Sequence, residues 1–272
     1  MSGRSPDEIW NDSVDEGERR LGRRGTALAA TGFAGGIDVF LSIAALAVVS
    51  GALHEVLPEG TSHVLASAVF GIGFVFITVG RAELFTENFL LPVGAVASGR
   101  GSVGGLLRMW GVTLVLNLVG LTAAAALFSV SGVLEPSALT AAGTMADTLA
   151  DRSVLASFLS AIAAGTVMTL FTWVVVAAES GSARVLASLL IGFLLAAPSL
   201  NHAIVGFGEL VFGLFAGTTG ATVGDLARTF GLAVAGNFLG GVGLVFGTRL
   251  AQVRGEPDSG AGELKKPVRA AA

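Results

Sequence analysis

A chain of 272 residues has the length of one or two soluble domains, yet 53% of it is hydrophobic, only 13% is charged and its mean hydropathy is +0.77. That excludes an ordinary soluble fold and indicates a polytopic membrane protein. The formal net charge of -4 identifies no partner, because the charges lie in the ends and loops, and the absence of cysteine removes disulfides, thiolate metal sites and a cysteine nucleophile.

Residues Met1 to Gly25 are polar and have no short apolar core of the signal-peptide kind. Six carboxylates come first and Arg19, Arg20, Arg23 and Arg24 follow, which reads as a cytoplasmic surface helix leading into the membrane; a solvated tail is the plain alternative. Six apolar segments come next, each long enough for the ~20 residues that cross a bilayer. They run Ala27 to Leu53, His63 to Ser98, Val103 to Val130, Ser153 to Ala178, Ala183 to Gly217 and Gly224 to Val253. The stretch from Gly255 to Ala272 reads as a disordered cytoplasmic tail.

Two of the six segments are interrupted. Arg81, Glu83, Thr86, Glu87 and Asn88 break the second, and Pro198, Ser199, Asn201 and His202 break the fifth. Bare backbone is tolerated at membrane depth only where it packs in protein or lines a wet cavity, so each break is a site candidate. Their matching positions point to an inverted repeat of three plus three spans, about 26–130 and 153–253. The third and sixth spans support it, sharing Asn-x-x-Gly at Asn117 to Gly120 and Asn237 to Gly240.

Taken alternately, the loops put Arg4, Arg19, Arg20, Arg23, Arg24, Arg100, Arg108, Arg184, Arg249, Arg254, Lys265, Lys266 and Arg269 on one side. The other side receives only Arg152 and Arg228, with Glu55, Glu59, Glu135, Asp147, Asp151 and Asp225. Both termini are therefore expected in the cytoplasm. Arg81 is left within the membrane.

His202 is the one histidine placed near the bilayer centre, where an ionisable side chain marks a substrate or proton path, and an imidazole exchanges a proton near neutral pH. Thr86 offers a hydroxyl that donates and accepts, to a small anion or to the imidazole; bonding to its own preceding turn is the structural alternative. Arg81, Glu83 and Glu87 form a charged cluster, read either as an ion pair holding the break shut or as part of a vestibule. Phe85 is placed to form an apolar constriction. Glu209 falls two turns beyond His202 on one helical face. No metal-ligand cluster and no nucleophile paired with a base is present, which argues against an intramembrane enzyme.

On these residues the chain resembles the formate/nitrite transporter family. The resemblance is carried by G-x-x-ELFT-x-N at Gly80 to Asn88, by His202, by WGVTLVLNLVG at Trp110 to Gly120 and by GNFLGG at Gly236 to Gly241. It implies an all-α, aquaporin-like fold of six transmembrane helices with broken second and fifth helices, in the inner or plasma membrane of a prokaryote. It further implies a homopentamer with one pore per subunit and no prosthetic group, moving a small monovalent weak-acid anion or its conjugate acid. His202, Thr86 and Asn237 are the site residues it implies, with Asn201 beside the histidine where many transporters carry glutamate. Glu87, Arg81, Gly165 and Thr166 depart from the family pattern, and its basic residue near the fourth span is missing unless Arg152 replaces it. A sensor or scaffold that kept the fold, and a neutral-solute channel, are the alternative readings.

Overall fold

A computed structural model of the chain describes residues 3–54 and 56–255. Glu55, the tail from residue 256 and its cations Lys265, Lys266 and Arg269 lie outside the described residues. Helices α1 (Pro6–Leu21) and α2 (Gly25–His54) are followed by α3 (Glu59–Ser67), α4 (Gly71–Gly80), a 3-10 turn at Phe85–Phe89 and α5 (Leu91–Ala97). Next come α6 (Val103–Phe128), α7 (Pro136–Ala150), α8 (Val154–Ala177), α9 (Gly181–Ala196) and α10 (Ala203–Ala216). The last span is α11 (Val223–Phe238), a π-helical stretch at Leu239–Phe246 and α12 (Gly247–Gly255).

Six crossings result: α2, the broken α3 to α5, α6, α8, the broken α9 and α10, and α11 to α12. Gly181–Ala196 and Ala203–Ala216 are each too short to cross alone. Four of the membrane helices, α6, α8, α9 and α11, are opened by a hydroxyl N-cap that satisfies an otherwise orphaned amide: Ser102 for Gly105, Ser153 for Ala156, Ser180 for Ala183 and Thr222 for Asp225.

The repeat is visible in the hydrogen bonds. Asn117 of α6 accepts from the Phe85 amide at 2.8 Å and donates to the carbonyls of Glu83 and Gly32. Asn237 of α11 accepts from the Ala203 amide at 2.9 Å and donates to those of Asn201 and Ala161. The two sets correspond one to one, so each asparagine pins the first span of its half to the break of its half. Three residues on, the shared glycines let the spans touch: a Cβ at Gly120 would lie 2.1 Å from the Phe33 carbonyl oxygen, and one at Gly240 2.0 Å from that of Ile162. The correspondence extends to strain, because Arg81 (φ 62) and Ser199 (φ 48) are the two non-glycine residues with left-handed backbone among the described residues and occupy the same place in the two breaks.

Residues 136–150, read as loop, form a helix. Its signal was Ala138, Ala142, Ala146 and Leu149, one buried stripe at helical spacing behind Pro136 at the first turn. Short and only moderately apolar, it cannot span; it packs on α10 and α2. Its counterpart is α1, which packs on α5 through Ile9, Trp10 and Val14 against Leu90 and Leu91. The surface helix expected at the N terminus is thus present, opened by a reciprocal Ser5/Glu8 capping box.

Glu16 of α1 is flanked by Arg19 and Arg20. Burial raises its carboxyl, but hydrogen bonds and charge from the two arginines outweigh that and hold it at about 2 against an ordinary 4.5. A depressed carboxyl stabilises fully above the unfolded value and loses its contribution as pH falls towards 2. Glu16→Gln is therefore expected to flatten the acid limb of thermal stability in detergent between pH ~4.5 and ~2. Parallel curves for the two proteins in that window would refute the assignment.

Candidate functional site

The two breaks meet at the centre of the fold. Thr86 and His202 are both wholly buried, and Thr86 Oγ1 lies 2.7 Å from His202 Nε2. His202 is also the N-cap of α10: its Nδ1 accepts the Val205 amide at 3.2 Å. A nitrogen that accepts from an N–H carries no proton, so in this geometry the ring is neutral and Nε2 bears the hydrogen. Nε2–H therefore donates to Thr86, and the Thr86 hydroxyl hydrogen is left for a third group. Two buried side chains, one from each inverted half, thus present one oriented donor at the middle of an otherwise apolar fold.

Phe85 is buried next to Thr86 and belongs to an aromatic cluster, its ring centroid 4.9 Å from that of Phe89 and 6.4 Å from Trp110. Phe238 closes the cluster against Phe89 and Trp110. Trp110 Nε1 donates to the Asn88 carbonyl, so the cluster is tied to the break it packs against.

The charged cluster is arranged differently from its sequence order. Arg81 is exposed at its left-handed position and forms no ion pair with Glu83. The partners of the fully buried Glu83 come from the N-terminal segment: Arg23 at 2.6 Å and Arg20 at 3.2 Å. These are close charge pairs rather than aligned hydrogen bonds, since neither Glu83 oxygen has a donor in good geometry. The pair lies too far apart in sequence for local spacing to show it. Glu87 turns back to accept the Leu84 amide at 3.2 Å, capping the 3-10 turn. A vestibule of about 380 Å³ reaches Glu87 and is lined by Arg4, Arg19, Arg20, Arg23, Arg81 and Arg184, with Asp12, Asp15 and Glu16 among them.

Asn237 and Asn201 support the site from behind. Asn237 spends both amide hydrogens and an oxygen contact on backbone, as above, and has no hydrogen left for a solute. Asn201 donates to Ser157 Oγ at 2.9 Å and to the Thr229 carbonyl at 3.3 Å, while its own amide reaches Ser160 Oγ. Arg152 donates to the same Ser160 hydroxyl oxygen at 3.1 Å, so it braces the fifth-span break from the α7–α8 loop. Gly165 faces Asn237, whose carbonyl oxygen would sit 2.2 Å from any Cβ there. Asn117, the scaffold of the first half, is the site residue whose role the sequence reading missed; its match to Asn237 was the available signal.

Residues 7–251 match the formate/nitrite transporter family. The chain belongs to that family. Among its relatives, an inner membrane protein, YfdC, of Escherichia coli (strain K12) is 28% identical over 246 residues, which cover 89% of this chain and 76% of the relative. Two solved structures share the fold. One described as an FNT family ion channel has a TM-score of 0.78 at 20% identity, covering 92% of this chain and 99% of the other. A pentameric formate channel with formate bound has a TM-score of 0.70 at 18% identity, covering 85% and 97%. The family is one of transporters, not enzymes, and the all-helical, six-crossing fold with two broken helices expected from the sequence agrees with these structures.

Proposed function

We propose that the chain passes a small monovalent weak-acid anion, such as formate or nitrite, through a pore in each subunit, with proton exchange at His202. The observation that carries this reading is the Thr86–His202 hydrogen bond joining the two breaks. An anion that sheds water at the aromatic constriction meets the Thr86 hydroxyl as donor, polarised by Nε2–H behind it. For exchange, a proton enters at Nδ1 once the Val205 amide is released. The Nε2 hydrogen then passes to Thr86 Oγ1 while the Thr86 hydrogen passes to the anion, which leaves as the neutral acid. Proton uptake is thereby coupled to loosening the first turn of α10. Family membership, the named substrates of the family and the pentameric, formate-bound relative support a homopentamer and a small carboxylate-sized solute.

The arginine-rich vestibule faces the cytoplasm in this reading, in the inner or plasma membrane of a prokaryote, with both termini inside. Its six arginines outnumber Asp12, Asp15, Glu16 and Glu87, so it concentrates anions at the mouth while the carboxylates limit that attraction.

The test is flux of formate, nitrite, hydrosulfide, acetate and glycerol into proteoliposomes across pH. Flux that rises as pH falls is expected for the weak acids and not for glycerol. His202→Asn should abolish flux or leave it insensitive to pH, and Thr86→Val should lower it at least tenfold, the price of one buried donor of ~1.4 kcal/mol or more. Unaltered pH-dependent flux in His202→Asn would remove the histidine from the mechanism.

A further inference from the structure

The side of the protein opposite the arginine vestibule holds a second cavity, of about 440 Å³. It is the inverted-repeat counterpart of the first: Ser199 stands where the arginine vestibule has Arg81, and α7 covers it as α1 covers the other. The chemistry is not repeated. In place of arginines, α7 contributes the hydroxyl row Thr140, Thr144 and Thr148, each donating to the carbonyl four residues back and so presenting an oxygen that can still accept. Where Leu91 lines the arginine vestibule, Glu209 of α10 lines this one.

Among the described residues no hydrogen bond and no ion pair within 4.0 Å reaches the Glu209 carboxyl. Its titratable and charged surroundings are few. His54 of α2 and His63 of α3 line the same cavity, and His63 is already bonded to the Ala197 carbonyl. Arg152 acts on Glu209 through charge while bonded to Ser160. On α7, Asp147 is held by Thr219 and Gly220; on α11, Asp225 caps its own helix and Arg228 donates to the Ala150 carbonyl. Asp38 of α2 is half-buried and does not line this cavity, and α6 carries no ionisable group at this end. A free carboxyl thus opens on a wet cavity about 10 Å along the helix axis from His202.

We infer that Glu209 is a second proton-exchange group, serving the weak-acid solute in the threonine-lined vestibule before or after it passes the centre; this rests on the transport reading above. A weak-acid anion entering beside a carboxylate makes a like-charged pair, and such a pair takes up one proton more readily than either group alone. The proton arrives from solvent in the cavity. The O–H bond on Glu209 breaks as one forms on the solute, the neutral acid moves on, and the carboxylate that remains takes its next proton from solvent when another anion enters. The vestibule therefore delivers the solute to the apolar centre uncharged even where bulk water holds almost none of it as acid.

The experiment is formate flux in proteoliposomes with an entrapped pH dye, from pH 5 to 8, for wild type, Glu209→Gln, Glu209→Asp and Arg152→Gln. In Glu209→Gln, formate-coupled proton flux should fall about tenfold at pH 7 and above yet match wild type near pH 5, where solution supplies the acid; Glu209→Asp should restore the profile. Removing the cation with Arg152→Gln should move the midpoint of the profile to higher pH, and this arm decides the matter if Glu209→Gln yields no folded protein. A Glu209→Gln profile superimposable on wild type, or an Arg152→Gln midpoint left in place, would overturn the inference. Absence of weak-acid flux in wild type would instead overturn the transport reading itself.

Discussion

Asn237→Leu is expected to prevent recovery of a stable folded protein. Leucine keeps the branching and heavy-atom count of asparagine, so the change is chiefly one of hydrogen bonding. It strands the Ala203 amide and the Asn201 carbonyl in a buried region and removes the second bond to the helical carbonyl of Ala161. At about 1–3 kcal/mol for each buried group left unpaired, the loss is comparable with the whole stability of many domains. Asn117→Leu should do the same to the first half, stranding the Phe85 amide and the Glu83 carbonyl and removing the second bond to the helical carbonyl of Gly32. Thermal unfolding in detergent gives the answer: two variants unfolding within a degree or two of wild type would mean that the breaks are held by something else.

Glu83→Gln should release the N-terminal helix. The wild-type carboxylate is fully buried and faces Arg20 and Arg23, whose side chains are only 14% and 13% exposed. Neutralising it leaves Arg23 with little water and no counter-charge and Arg20 with Glu16 alone, a loss of about 3 kcal/mol on the scale of broken buried pairs, reduced by the residual hydration of both and by Glu16. Because α1 also covers the arginine vestibule, its loosening is expected to accelerate tryptic cleavage at Arg19 to Arg24 and to lower the melting temperature together. Adding Arg23→Gln to Glu83→Gln should recover part of both. Cleavage at the wild-type rate in the single variant would show that the ion pairs do not hold α1 down.

The membrane class, the six crossings, the two breaks and the Thr86 and His202 positions were legible in the sequence because each rests on a local signal: an apolar run of spanning length, or polar residues inside one. Helix α7 escaped because its stripe is made of alanines, too weakly apolar to stand out beside genuine spans. The partners of Glu83 escaped for a different reason. Arg81 is its neighbour in sequence, but the left-handed backbone at Arg81 turns that side chain outward, and the counter-charges come from α1 and the linker after it, more than one span away. Asn237 shows the limit of carrying a role over by resemblance: its hydrogen bonds go to the backbone of α8 and of the fifth-span break.

That α7 answers α1 redraws the unit from which the protein is built. Each half is a surface helix followed by three crossings, with the short stretch between α6 and α7 as the seam where one copy hands over to the other. A single such half, inserted in the bilayer in both orientations, could assemble with itself into the same architecture, and both of its mouths would then be chemically alike. Joining the copies in one chain is what allowed them to diverge, so that arginines now gather at one entrance and hydroxyls with a lone carboxyl at the other.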